Sequence, residues 1–493
     1  MDRFTSSTLQ TSLCSLIGII TVSPLLYYAH CEFHRKREIS RRKQKFKQAL
    51  ARLKSRTELS SSTVDGNALL GEKDERAELE QAVKSRFASL KIGGRYQNPF
   101  EEWREQGAWE WAFWHLVYQP LTGRWPFFFN HGLPTGPDAS VQLARTLPQE
   151  SPDWQHLFGG GQQEPSIRSS QDTADEILGQ SWDRVSTSAP SHLGQSTDLG
   201  SSGPSSPNAR GRPQDGQLEV STEFSFTWIG QSTCYVQLEG LCILTDPIFS
   251  HRTLDSFMAP SRLRPPPCEL KDLLRIDVVL VSHSHYDHLD IKAVEYLGNS
   301  VLWIIPLGLG SWFKQQGVTH FREMDWWDKT RVAIPGSSGA TVEIVACPTM
   351  HWSARTPLDT NRSLWNSFAV IGHHTRFFHV GDTGYPSGLF DHIGALYGPF
   401  NLAAIPIGSY APLWHLGSQH TDPVGSVKIM VELRAKMAVG VHWGTWMMSD
   451  ETYESPIRDL EKAVRAVLGS EPPVDNRFNT VPMGRTLIMK SDE

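Results

Sequence analysis

Four groups that bind metal in neutral or anionic form fall within six residues in His283-Ser-His285-Tyr-Asp287-His288, directly behind the apolar run 276–282. Imidazole and carboxylate together suit zinc, and a segment this dense serves two ions better than one. On an extended or turning backbone His283 and His285 point the same way, because they lie two apart. Asp287 and His288 come after the turn and reach toward a second ion. A two-ion site needs more ligands than this segment holds, and three further positions have the right chemistry. His351 follows the strand-like run 342–347, Asp382 follows 376–380 in Gly381-Asp-Thr-Gly384, and His442 follows 436–441 in His442-Trp-Gly-Thr445. Each stands just beyond a β-like run, where an α/β architecture gathers its active-site loops.

The order His-x-His-x-Asp-His, His, Asp, His resembles the metallo-β-lactamase superfamily. The surrounding blocks resemble one family within it, the N-acylphosphatidylethanolamine-hydrolysing phospholipases D. These blocks are Thr227-Trp-Ile-Gly230, Leu244-Thr-Asp-Pro-Ile-Phe-Ser250, Ser282-His-Ser-His-Tyr-Asp-His-Leu-Asp290, Pro306-Leu-Gly308, Asp325-Trp-Trp327 and His351-Trp352. Further along stand Gly381-Asp-Thr-Gly-Tyr385, Ala404-Ile-Pro-Ile-Gly408, Gln419-His-Thr-Asp-Pro423 and His442-Trp-Gly-Thr445. The match covers residues 218–470, with a shorter echo in Gly94-Arg-Tyr-Gln-Asn-Pro99. Two positions depart from the family: Ser284 stands where Asn is usual, and Gln231 where His is common. Neither is a ligand there, so the difference falls on the groups around the ligands.

The resemblance implies an αββα sandwich with two zinc ions. His283, His285 and His351 would hold one, Asp287, His288 and His442 the other, and Asp382 would bridge them. Such a pair acidifies water and offsets charge growing on phosphoryl oxygens. The implied reaction is phosphodiester hydrolysis of N-acylphosphatidylethanolamine to an N-acylethanolamine and phosphatidic acid. Tyr286 and His420 match positions near the lipid phosphate, His420 with a catalytic part. Their plainer roles are aromatic packing and a cap before Asp422-Pro423. Asp246 also matches a family position, and would act by holding a histidine ligand. The resemblance admits a homodimer.

The elements that must position these residues are legible as alternating patterns. Strand-like runs lie at 224–229, 233–238, 241–245, 277–282, 301–305, 342–347, 368–371, 376–380, 402–405 and 437–441, with helical patterns at 291–297, 309–316, 422–433 and 457–468. Pro423 suits a first helical turn, where its missing N–H costs nothing. This alternation supports an α/β class by itself. One large catalytic unit, 218–493, accommodates it, since such folds commonly use more than about 200 residues as one domain.

The remainder reads as appendages. Residues 11–29 are nearly free of charge and long enough for one membrane span of roughly 20 residues, giving an anchor at 1–34. A signal peptide is the competing reading, but the charge order is wrong for one: only Arg3 precedes the apolar stretch, and the basic cluster from Arg35 to Arg56 follows it. The positive-inside rule then keeps that side cytosolic or in the mitochondrial matrix, and the cluster attracts anionic lipid. The expected location is an intracellular membrane crossed once, either the mitochondrial inner membrane or the ER/Golgi. Residues 35–92 read as a charged stalk. Residues 93–133 read as an aromatic arm that packs on the catalytic domain, with an interfacial surface as the alternative. The Ser/Gly/Pro/Gln-rich stretch 134–217 cannot bury enough surface to offset its ordering entropy and is expected to be disordered.

Six scattered cysteines without a Cys-x-x-Cys pair point to buried thiols rather than a disulfide framework. The catalytic region has no Lys/Arg stripe interleaved with aromatics, which argues against a nucleic-acid partner; the resemblance implies a membrane phospholipid as substrate. Two alternatives remain open: a related hydrolase acting on a lactone or soluble phosphodiester, and a catalytically silent membrane tether.

Overall fold

The structure, a computed structural model, describes residues 4–60, 68–106, 108–122, 133–159, 223–254, 259–337, 339–469 and 477–490. A two-residue hairpin, β1 (Lys91–Ile92) and β2 (Arg95–Tyr96), precedes the sandwich. One seven-stranded sheet contains β3 (Glu223–Gly230), β4 (Thr233–Leu238), β5 (Leu241–Thr245), β6 (Val278–Leu280), β7 (Leu302–Pro306), β8 (Phe321–Met324) and the late strand β16 (Thr486–Lys490). Its order is β16-β3-β4-β5-β6-β7-β8. The other contains β9 (Lys329–Ala333), β10 (Thr341–Cys347), β11 (Ser367–Ile371), β12 (Arg376–His379), β13 (Phe400–Pro406), β14 (Ala435–Val441) and β15 (Phe478–Asn479) in the order β15-β14-β13-β12-β11-β10-β9. In the first sheet β16, β3, β4 and β5 pair antiparallel and β5 to β8 parallel; in the second β9 to β12 pair antiparallel and β12 to β15 parallel.

Period-2 alternation divides the central strands of the first sheet between two cores. Phe224, Phe226, Trp228, Val236, Ile243, Val278 and Leu280 enter the cluster between the sheets. Tyr235, Leu244, Val279, Val281, Trp303 and Ile305 face a second cluster shared with the helices Ile291–Leu297 and Gly310–Gln315. The second sheet is covered by the helices Leu389–Tyr397, Pro423–Glu432 and Ser455–Leu468. Gly394 lets the first two approach: a Cβ there would stand 2.1 Å from the carbonyl oxygen of Glu432. The result is the metallo-β-lactamase-type αββα sandwich, with mixed sheets. All ten strand-like runs and all four helical patterns fall on observed elements. β8, β9, β15, β16 and the helix Leu389–Tyr397 were not anticipated.

The amino-terminal part differs most from its expectation. α1 (Phe4–Ser60) is a single helix running through the apolar stretch 11–29 and past Pro24. Side chains up to residue 25 lie outside those described, and among the described residues no helix is long and apolar enough to cross a membrane. Beyond the stretch, the expected stalk lies against the sandwich. Cys31, Arg35, Ile39 and Leu53 are buried on one face of the helix, about one, one and four turns apart, and Phe46 packs edge-on against His392. α2 (Ala68–Arg86) runs back along α1: Arg42 reaches the carbonyls of Ala88 and Ser89, and Arg56 pairs with Glu78. Val83, Phe87, Tyr96, Phe100 and Trp103 belong to the central core. In the aromatic arm, Trp114 donates to Asp450 at 3.1 Å and Phe113 meets Trp414 edge-on. Trp125 and Phe127–Phe129 lie outside the described residues.

The expected disordered stretch 134–217 is ordered as far as Gly159. It forms the helices Ala139–Thr146 and Trp154–Phe158; Leu147 after the first and Leu157 within the second are buried, and Gln149 bridges to Met483. A few apolar anchors at wide spacing suffice to dock it. The rest, 160–217, lies outside the described residues. Cys31, Cys234, Cys242, Cys268 and Cys347 are free and buried.

Candidate metal centre

The loops leaving β5, β6, β10, β12 and β14 meet at one edge of the sandwich and bring the sequence-derived residues together. His283, His285 and His351 form one convergent group, and Asp287, His288, Asp382 and His442 another. His351, Asp382 and His420 form a third, overlapping both. Asp382 stands at the junction. Its Oδ2 lies 3.2 Å from His288 Nε2, 3.6 Å from His351 Nε2, 3.8 Å from His283 Nε2 and 3.8 Å from His420 Nδ1, and its Oδ1 lies 3.2 Å from His442 Nε2. Asp287 Oδ2 is 3.4 Å from His288 Nε2 and 3.3 Å from His442 Nε2. Ligand atoms on a tetrahedral zinc at about 2.0–2.1 Å lie about 3.3–3.4 Å apart, so these spacings are those of a coordination polyhedron. His285 Nε2, His288 Nε2 and Asp382 Oδ1 are buried and meet no hydrogen-bond partner among the described residues. A divalent cation would satisfy this donor set.

The electrostatics divide the site in two. Burial pushes His283 and His351 well below the imidazole range and His285 down to about 4, so all three are neutral, the form that binds metal. Burial also opposes charge on His288 and His442, but the carboxylates of Asp382 and Asp287 outweigh it. His288 is held well above the usual range, with Asp246 adding to the effect, and His442 is raised to about 9. Burial likewise opposes charge on Asp287 and Asp382, yet His288 and His442 hold both well below the carboxylate range. This half attracts a cation, either a proton on its imidazoles or a metal in their midst.

A surrounding layer fixes the ligand candidates. Asp246, fully buried, faces His288 Nδ1 at 2.9 Å and His379 Nε2 at 3.0 Å and accepts from the backbone N–H of Ser282 at 2.6 Å and its hydroxyl at 2.8 Å. Burial raises the cost of its charge, but His288 and His379 lower its pKa to about 2. Asp246 lies outside the three ligand groups and acts on His288. His351 Nδ1 faces the carbonyl of Gln419 at 3.0 Å. Gln231, in the left-handed region at φ 49°, donates from Nε2 to Asp287 Oδ2 at 2.8 Å, while its carbonyl accepts from Trp228 Nε1 and from the backbone N–H of His442.

The two residues matched to the lipid phosphate separate. His420 is mostly buried beside His351, with ring centroids 5.1 Å apart, and burial lowers its pKa to about 4. It is not a cap: Asp422 caps the helix Pro423–Glu432 by accepting from Gly425 N. Tyr286 points elsewhere, donating its hydroxyl to the carbonyl of Arg355 at 2.5 Å, with the Arg355 guanidinium over its ring. Arg355 also donates to the carbonyls of Ser284 and Leu289, bracing the loop that carries four ligand candidates. Sequence reasoning missed Arg355 and His379. His379 left one trace, a histidine inside the aromatic strand β12.

The chain is similar in sequence to known proteins. Residues 242–443 match the beta-lactamase superfamily domain. The chain is 40% identical over 267 residues to the N-acyl-phosphatidylethanolamine-hydrolyzing phospholipase D 1 of Caenorhabditis elegans, covering 52% of this chain and 74% of that protein. It is 33% identical over 381 residues to the mitochondrial N-acyl-phosphatidylethanolamine-hydrolyzing phospholipase D of Saccharomyces cerevisiae, covering 76% and 72% respectively. A solved structure, the metallo hydrolase Igni18 from Ignicoccus hospitalis, covers 54% of this chain and 99% of its own at 17% identity and a TM-score of 0.40.

Asp246 provides the test of the surrounding layer. Asp246→Ala frees His288 to rotate and should weaken metal retention on the order of 10–100-fold in a chelator competition. Retention equal to that of the unaltered protein would show that His288 is oriented by something else.

Proposed function

The chain belongs to the N-acyl-phosphatidylethanolamine-hydrolysing phospholipase D family, and from that premise we propose that it hydrolyses N-acylphosphatidylethanolamine to an N-acylethanolamine and phosphatidic acid with two zinc ions. The observation that carries the reading is the pair of ligand groups meeting at Asp382, in a chain whose family relatives bear that activity in their names. His283, His285 and His351 would hold one ion, Asp287, His288 and His442 the other, with Asp382 shared. Bound zinc supplies Lewis acidity and a water acidified to near neutral pH.

The chain's own residues orient and exclude. Asp246 turns His288 Nε2 inward, the Gln419 carbonyl does the same for His351, and Gln231 restrains Asp287. In the net reaction a water oxygen bonds to phosphorus and the bond from phosphorus to the ethanolamine oxygen breaks, that oxygen taking up a proton. His420, neutral because its pKa lies near 4, would contact a phosphoryl or leaving oxygen as a hydrogen-bond donor rather than as an imidazolium. Tyr286 has its hydroxyl engaged by Arg355 and would contribute through its ring.

For attachment, residues 11–29 of α1 would cross an intracellular membrane once, with the basic cluster after Arg35 on the cytosolic or matrix side. The word mitochondrial in the yeast relative's name favours a mitochondrial membrane. For assembly the family resemblance admits a homodimer.

Purified protein given N-acylphosphatidylethanolamine, phosphatidylcholine and a soluble phosphodiester should release phosphatidic acid from the first in preference. His420→Ala should lower that turnover by about 10²–10⁴-fold with metal content unchanged, and Tyr286→Phe by less. Turnover of the soluble diester alone would replace the lipid reading with that of another hydrolase. Full activity in His420→Ala would remove His420 from the reaction. Deleting residues 1–34 should move the protein into the soluble fraction, or leave binding that a high-salt wash reverses. Membrane retention through that wash would place the anchor elsewhere.

A further inference from the structure

The short block Gly94-Arg-Tyr-Gln-Asn-Pro99 lies far from the ligands in sequence, yet it reaches one of them. Asn98, 1% exposed, donates from Nδ2 to the backbone carbonyl of His351 at 2.7 Å. The contact is part of a seam: Tyr96 N donates to the Asn361 carbonyl at 2.7 Å, and Arg95 bonds the carbonyls of Leu358 and Thr360. Residues 95–98 thus brace the backbone of the loop carrying His351, whose imidazole is faced by the Gln419 carbonyl.

The seam is in turn held by α1. Arg35, 4% exposed, donates from Nη1 to the carbonyls of Asn98 at 3.1 Å and Phe100 at 2.8 Å, and Nη2 lies 3.4 Å from the carbonyl of Trp103. Glu32 takes its remaining donors at 2.7 and 3.0 Å. A guanidinium offers five N–H donors in a fixed fork, and only arginine can gather three carbonyls and a carboxylate at once. A buried arginine on a helix read as a charged stalk has no use in solvation. Here its donors hold the turn that presents Asn98 to the metal centre.

We propose that Arg35 is a positioning residue for the metal centre, acting through Asn98 on the peptide plane of His351, so that α1 is a working part of the site as well as its means of attachment. Fixing that plane fixes the direction in which His351 leaves the backbone, and so where Nε2 stands relative to His285 and Asp382. The inference rests on the reading of this site as a metal centre.

The test compares full-length protein with Asn98→Ala, Asn98→Asp, Arg35→Ala, Arg35→Lys and the double variant Arg35→Ala/Asn98→Ala. Each is loaded with zinc and challenged with graded chelator, metal per chain being read by elemental analysis beside a thermal melt. Asn98→Ala and Arg35→Ala should each release one ion at chelator levels about tenfold lower than the unaltered chain, the second ion being held as before. Arg35→Lys should fall between, and the double variant should be no worse than Asn98→Ala, because the two act in series. Asn98→Asp keeps the volume but loses the donor, and carries the test should the alanine variants not fold. Metal retention identical to the unaltered protein, with only the melting temperature lowered, overturns the proposal and leaves a purely structural seam. Unaltered protein that takes up no zinc overturns the metal reading and this inference with it, a failure the first arm separates from the other.

Discussion

One carboxylate holds this architecture to account. Asp382, 3% exposed, has imidazole nitrogens of His283, His288, His351, His420 and His442 within 3.2–3.8 Å. An isolated buried carboxylate is too costly to keep charged, so the protein must surround it with groups able to share a cation. Each of those histidines comes from a different loop or a different point on one. The loops leaving β6, β12 and β14 in the parallel halves of the sheets, with the loop leaving the antiparallel strand β10, bring four of them and Asp382 to one edge. Asp382 arrives through Gly381, at φ 63°, where a Cβ would stand 2.8 Å from the Cβ of Ser282. The strand end carrying Asp382 therefore packs directly on the strand end that carries His283.

Asp246 repeats the arrangement one layer further out. It is fully buried and ionised, satisfied by Ser282, His288 and His379. Two nested carboxylates share His288 between them, Asp246 at Nδ1 and Asp382 near Nε2. That leaves the ring one orientation, the kind of preorganisation a metal site requires of its supporting layer.

The ligand candidates were legible because metal chemistry demands particular side chains, and strand ends are marked by apolar runs that stop. His283, His285, Asp287, His288, His351, Asp382 and His442 needed no more than that. The docked amino-terminal region was not legible. Its packed face, with Cys31, Arg35, Ile39 and Leu53 buried and Phe46 partly so, includes an arginine and lies in a stretch dense with Lys and Arg, so the helical period is masked by charge. β9 shows the same effect at a sheet edge: Lys329, Arg331 and Ala333 face solvent, leaving too little apolar alternation to register. The segment 133–159 is docked by Leu147, Leu157 and the bridge from Gln149, contacts too widely spaced to leave a pattern. Tyr286 shows the opposite limit: its place in a matched motif did not reveal that its hydroxyl turns to Arg355.

The account stands on Asp382 joining two ligand groups into one centre. Metal per chain in the active, unaltered protein and in Asp382→Ala measures this directly. The account predicts about two zinc ions per unaltered chain and the loss of both in the variant, because each group loses its shared carboxylate. Active protein without stoichiometric metal, or a variant that keeps its full complement, would contradict it.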